Sequence, residues 1–171
     1  MITLIVGVPD SGKSAFAESL VLEQAREGRK IYIATMIPFG EEGKERVKKH
    51  RKLREGKGFF TVEAPMDVAD AVSGVGGIED STCLLECVSN LVGNVMHECG
   101  SRSAVEDIRS LGKMCKNLII VTNSFPLEGE GYDEDTRRYV KAMELVNDEL
   151  RGLADKVYEY SKGAWIEHES V

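Results

Sequence analysis

The chain has 171 residues, 42% of them hydrophobic and 30% charged, and its 22 basic and 29 acidic side chains leave a net charge of -7. That length suits one domain burying about 70% of its unfolded surface, and the composition excludes the low-hydrophobicity, high-charge regime of disordered chains. The negative charge opposes the counterion release that drives most nucleic-acid binding, and no apolar run approaches the roughly 20 residues of a membrane span, so neither a polynucleotide nor a bilayer is an expected partner.

Residues 2–6 form a short apolar run that is continuous, not alternating, which suits a strand buried on both faces of a parallel sheet. Residues 14–27 carry apolar positions at helical spacing, and 30–35 (KIYIAT) form a second apolar run, completing a β-α-β unit. Beyond it, 41–54 reads as a basic helix, 59–62 and 82–86 as strands, 89–97 and 103–115 as helices, 118–122 as a strand and 133–154 as a long helix. Two last strand-like runs, 156–160 and 164–167, are joined by Ser161, Lys162 and Gly163, a spacing that favours a hairpin and an antiparallel edge. The glycine-rich patch 74–77 and the acidic stretch 128–135 read as loops, and residues 1–171 are expected to form a single domain. The alternation of strands and helices predicts an α/β fold.

Residues 1–8 are apolar but lack a basic leader and a small-residue cleavage site, which predicts a cytoplasmic location. Cys83, Cys87, Cys99 and Cys115 contain no CxxC pair and have no histidines at zinc-finger spacing, so they read as buried free thiols. His97 and His168 read as helix-terminal and solvent-facing residues.

Gly7, Val8, Pro9, Asp10, Ser11, Gly12, Lys13 and Ser14 match GxxxxGK[ST] at every fixed position, between a predicted strand and a predicted helix. Glycines let such a loop turn its backbone N–H groups toward phosphates, and the helix N-terminus adds its positive dipole end. Lys13 is expected to pair with β and γ phosphate oxygens, and the Ser14 hydroxyl to ligate Mg²⁺. Together with the alternation, the motif predicts a P-loop NTPase fold of RecA-like, three-layer α/β/α form with a mainly parallel central sheet. Sites in such sheets lie at strand carboxyl ends, so Thr35, Glu86 and Asn123 should converge on the P-loop edge, with Glu86 as a metal carboxylate.

In the helix after the second strand, Arg46, His50 and Arg54 recur every fourth residue and share a face. A histidine between two guanidiniums is expected to be neutral and available as a nucleophile toward phosphorus, with the arginines neutralising phosphoryl charge. The alternative is a solvated basic face, given Lys44, Lys48, Lys49, Arg51 and Lys52 nearby.

These pieces resemble the bifunctional adenosylcobinamide kinase and adenosylcobinamide-phosphate guanylyltransferase family of cobalamin biosynthesis, over nearly the whole chain. The resemblance is carried by GVPDSGKS, YIAT (32–35), Arg46-Val47 with His50 and Arg54, Thr61-Val62-Glu63, LLEC (84–87), Asn94, VTN (121–123), Arg137, Asn147 and the Ala154-Asp155-Lys156-Val157 run. It implies one nucleotide site that first phosphorylates the cobinamide hydroxyl and then transfers a guanylyl group through a covalent GMP-histidine, for which His50 has the right spacing. It further implies that Ala34, Thr35, Met36, Arg51, Lys52, Leu53, Arg54, Glu63 and Glu86 contact nucleotide and that Arg46 and Asn123 position it. GTP with Mg²⁺ is the implied nucleotide, with ATP as a further donor; a corrinoid is the implied substrate and a homo-oligomer, commonly a trimer, the implied assembly.

A carboxylate reads guanine by accepting from N1–H and the exocyclic amine together, which either Glu63 or Glu86 can do. The chain departs from the family where Ser124, Phe125 and Pro126 replace Glu-Val-Gly after VTN, where Phe59 replaces a tryptophan, and where Glu144 replaces a glycine. Two other readings stay open: a P-loop kinase for another small metabolite, in which His50 is dispensable, and a GTP-binding regulatory protein that transfers nothing.

Overall fold

A computed structural model of the chain describes residues 1–98, 103–125 and 131–169. Cys99, Pro126 and residues 128–130 of the acidic stretch lie outside them. The elements run β1 (Ile2–Gly7), α1 (Lys13–Ala25), β2 (Lys30–Ala34), α2 (Gly40–Arg54), β3 (Phe59–Glu63), α3 (Val68–Val72), a 3-10 turn (Ile78–Asp80), β4 (Thr82–Glu86), α4 (Val88–Glu98), α5 (Ala104–Met114), β5 (Asn117–Asn123), α6 (Glu134–Leu153), β6 (Lys156–Ser161) and β7 (Ala164–Glu169).

One sheet holds all seven strands in the order β3-β2-β4-β5-β1-β6-β7. Every pairing is parallel except β6 with β7, so the hairpin contributes only its second strand as an antiparallel edge. β5 separates β1 from β4, which places the end of β5 between the P-loop and Glu86.

The continuous apolar runs are buried on both faces, and alternate residues go to opposite layers. Leu4, Val6, Ile31, Ile33, Leu118 and Ile120 pack with Val68, Leu91, Ile108, Leu111, Met143 and Leu150 of α3 to α6. Ile5, Tyr32, Leu84, Ile119 and Val121 face α1 through Ala17 and Val21, with Phe16 stacked on Trp165 of β7 at 4.5 Å. Helix starts are marked by side chains that accept the free N–H groups of the first turn: Ser103 from Glu106 N at 3.2 Å, Asp133 from Thr136 N at 2.7 Å.

α2 is different. Of its residues only Arg54 is buried, and the helix has no continuous apolar stripe. Glu41 and Glu42 in its first turn and Arg51, Lys52 and Arg54 in its last complement the helix dipole. The turn that follows is tied to α1 by Lys57 Nζ, 2.6 Å from Oε2 of the buried Glu18. Helix α3 and the 3-10 turn have no counterpart among the sequence expectations, because five and three residues are too short for helical periodicity to register. The α3 N-terminus is held by Asp107, whose carboxylate accepts from Val68 N and Ala69 N.

Candidate active site

The loop after β1 is shaped by two conformations that most side chains resist: Asp10 at φ 61° and Gly12 at φ 83°. A Cβ on Gly7 would stand 2.6 Å from Ser11 Oγ and 3.1 Å from the Lys13 side chain, so the loop closes tightly on its first glycine. Lys13 is buried and donates from Nζ to the Val8 carbonyl at 2.8 Å. Burial lowers its ammonium from the ordinary lysine range, opposed by Cys87, Glu86 and Asp10. A desolvated cation beside the buried Ser11 Oγ, which has no partner among the described residues, is suited to receive anionic oxygens. Val8, Pro9 and Asp10 form the exposed rim.

Glu86 is the junction of the site. Its Oε1 accepts from the Ser14 hydroxyl and lies 4.0 Å from His50 Nδ1, while its Oε2 accepts from the Tyr32 hydroxyl at 2.8 Å. Burial and the Glu86 carboxylate push the Tyr32 phenol well above its ordinary range, so it remains a donor. Arg54 lays its guanidinium over the Tyr32 ring at 3.6 Å, a geometry favourable for cation–π attraction. The histidine helix therefore meets the P-loop helix at one carboxylate.

The surroundings of His50 differ from the sequence expectation. Arg46 is exposed, Arg54 is engaged with Tyr32, and the charged group facing the imidazole is Glu86. Helical spacing put the arginines on one face with the histidine, but the Arg54 side chain turns to Tyr32, a partner that the helix alone does not reveal. With Nδ1 turned toward Glu86, Nε2 is the ring nitrogen left to act on a substrate.

Glu63 and Glu86 flank Ala34 on opposite sides, each in register with it across β2. Two strand spacings place their backbones about 10 Å apart, with β2 between them. Glu63 is largely exposed and pairs with Arg51 at 3.0 Å, at the edge of a groove of about 970 Å³ lined also by Arg54, Phe59 and Thr61. Lys52 and Leu53 are exposed on the same helix. Phe59, the replaced tryptophan position, packs edge-on to Tyr32 at 6.2 Å and thus supports the nucleotide side, whereas Glu144 is exposed on α6.

Thr35 is committed to the scaffold, since its Oγ1 accepts from Cys87 N and donates to Cys87 O, both at 2.8 Å. Asn123 pairs in register with Gly7; its Nδ2 donates to Ser89 Oγ at 2.7 Å and its Oδ1 is buried with no partner among the described residues. Asn147 holds this corner by donating to Asn123 O and accepting from Thr122 Oγ1. The departing residue Ser124 donates its backbone N–H to Gly7 O at 3.1 Å, and Phe125 packs on Tyr139. Met36 lines a second cleft beside α4. Burial pushes the Cys87 thiol up, while Cys83 and Cys115 are buried free thiols. His97 and His168 are exposed, the latter 3.6 Å from Glu159.

The profile of the cobinamide kinase / cobinamide phosphate guanyltransferase family matches residues 3–167. The chain belongs to this family. Its function is that of the family, phosphoryl and nucleotidyl transfer in cobalamin biosynthesis, which makes it a nucleotide-binding protein. No curated protein matches the sequence significantly. Among solved structures, the ATPase domain of G40P aligns at a TM-score of 0.52 with 8% identity, covering 94% of this chain and 69% of that one. The flagellar accessory protein FlaH from Methanocaldococcus jannaschii aligns at 0.48 with 12% identity, covering 97% and 75%. The first of these shows the fold as that of a P-loop ATPase domain. Among the described residues, no helix is long and apolar enough to cross a membrane.

Sequence reasoning missed the role of Tyr32, although a tyrosine in a doubly buried strand signals that its hydroxyl needs a partner. It also missed the roles of Cys87, Ser89 and Tyr139, whose contacts here span 34 or more positions, so that no local pattern reveals them.

Proposed function

We propose that this family member transfers the guanylyl group of GTP to a corrinoid phosphate through a covalent GMP adduct on His50, and phosphorylates the corrinoid alcohol at the same P-loop. The observation that supports this reading most is the shared carboxylate: Glu86 accepts from Ser14 and stands 4.0 Å from His50. That juxtaposition brings the imidazole to the phosphate cradle, as displacement at phosphorus requires.

In this reading Nε2 of His50 attacks the α-phosphorus of GTP, a P–N bond forms, and the bond to the β-phosphate oxygen breaks with its electron pair leaving on pyrophosphate. An oxygen of the corrinoid phosphate then attacks the same phosphorus, and the imidazole leaves with the P–N electron pair. Lys13 and the loop N–H groups hold the outer phosphates, and the exposed Arg46 offsets charge on the α-phosphoryl oxygens, Arg54 being held over Tyr32. Ser14 and Glu86 fit a Mg²⁺ ion, which takes one or two protein oxygens together with phosphates. Held there, such an ion would supply positive charge to offset that on the outer phosphates. Because Glu86 is engaged with Ser14 and Tyr32, Glu63 is the reader of guanine, in the groove beside Arg51 and Lys52. The chain acts as a homo-oligomer in the cytoplasm.

GTP labelled at the α-phosphate should leave its label on the protein in a form labile to acid and stable to alkali, whereas label at the γ-phosphate should be lost. Retention of γ label in place of α label would point to a phosphohistidine and a plain kinase.

A further inference from the structure

We propose that the cleft between the strap 36–39 and helix α4 is the acceptor site, and that it takes a neutral, carboxamide-bearing arm of the corrinoid through Asn90 with the macrocycle resting on Phe39. This rests on the transferase reading above for the identity of the acceptor, but the site is argued from the cleft itself.

The cleft encloses about 330 Å³ at the carboxyl ends of β2 and β4. One wall is apolar, from Met36, Ile37 and Phe39; the other carries Ser89, Asn90, Asn94 and Tyr139. Among the described residues, no charged side chain lines it. A phosphate would find no cation there, so the charged end of an acceptor must lie elsewhere, toward the P-loop. The route is short, since Ser89 accepts from Asn123, and Asn123 sits beside Gly7 in the sheet with its own Oδ1 buried and without a partner among the described residues.

Most polar groups of the cleft are already engaged. Asn94 donates to Thr35 O and Pro65 O at 2.8 and 2.9 Å, and Tyr139 donates to Ser89 O at 2.9 Å. Burial pushes the Tyr139 phenol up to about 12, so it adds no charge. Asn90 is the exception: it is half-buried, and its side-chain amide has no partner among the described residues. A free amide at the wall of a neutral cleft offers one donor face and one acceptor face, the complement of another carboxamide. At the rim, Phe39 is 76% exposed, the most exposed of the large hydrophobic residues among those described. An exposed ring beside a half-apolar cleft suits a flat, weakly polar macrocycle whose rim carries amide arms.

The test is equilibrium binding of cobinamide, followed by its visible absorption, to the nucleotide-free protein. Asn90→Ala and Phe39→Ala should each raise the Kd at least tenfold, and Phe39→Trp should keep it within about threefold of wild type. Neither side chain has a hydrogen-bond or ring partner among the described residues, so folding should survive, which near-ultraviolet circular dichroism checks. An unchanged Kd in both alanine variants overturns the acceptor site, as does equal weakening by Phe39→Ala and Phe39→Trp. The transferase reading is scored separately, by GTP labelling of the wild-type protein: a labelled wild type with unchanged binding in the variants sinks only the cleft. An unlabelled wild type with weakened binding in the variants sinks only the covalent histidine.

Discussion

Tyr32 and Glu86 sit diagonally across adjacent strands, β2 and β4, and are joined by a buried 2.8 Å hydrogen bond from the phenol to Oε2. The bond fixes one oxygen of a carboxylate whose other oxygen faces both Ser14 and His50. A strand residue far from the P-loop in sequence thus sets the direction of the group on which the two functional helices converge.

Tyr32→Phe removes this donor and leaves a buried carboxylate oxygen unsatisfied. Hydrogen bonds to charged groups contribute about 1.5–3 kcal/mol, so the variant should unfold at lower urea with a loss of about 2 kcal/mol. Its GTP-dependent labelling should also slow. An unaltered urea midpoint would show that Glu86 does not depend on the phenol.

Glu63→Ala should weaken GTP binding tenfold or more while leaving ATP binding within about twofold, measured by competition against a fluorescent nucleotide. The basis is the separation of the carboxylates by β2: one is engaged at the P-loop, the other faces an open groove. Equal losses for both nucleotides would remove Glu63 from base recognition.

Gly7→Ala should act by crowding. Its Cβ would press on Ser11 Oγ and on the Lys13 methylenes at 3.1 Å, shifting the ammonium that receives phosphate. Nucleotide affinity should fall at least tenfold, while stability changes by about 1 kcal/mol or less, because the contact is within the loop and not the core. Wild-type affinity in this variant would mean that Lys13 tolerates a shift.

Alkaline titration reads the two buried phenols. Burial raises Tyr139 to about 12 and places Tyr32 higher still, while the unfolded chain ionises near the ordinary tyrosine value of about 10. Below that value both states hold the proton and stability is unaffected. Above it the unfolded state loses protons first, so stability should fall as pH rises from about 10 toward 12. Phenolate absorbance should lag for these residues until unfolding, and Tyr139→Phe should flatten part of the pH dependence. Full ionisation of all five tyrosines in the folded protein near pH 10 would contradict their burial.

The strands were legible because doubly buried parallel strands must be apolar throughout, and the P-loop because phosphate binding requires glycine, lysine and hydroxyl at fixed spacing. His50 was legible as a candidate through its arginine spacing, but its partner was not. Glu86 is 36 residues away, and helical periodicity says nothing of which side chain waits across a sheet edge. The same limit left Glu63 and Glu86 interchangeable until the register across Ala34 separated them. Asn90 and Phe39 carried no signal, since a free amide and an exposed ring become meaningful only once a cleft lies between them.

The central claim is that His50 becomes covalently guanylylated, and intact-protein mass after incubation with GTP and Mg²⁺ tests it most directly. Wild-type protein should gain one guanylyl group and His50→Ala none. A wild-type protein that holds GTP stoichiometrically yet keeps its unmodified mass, or a His50→Ala variant that gains the same mass, would contradict the account.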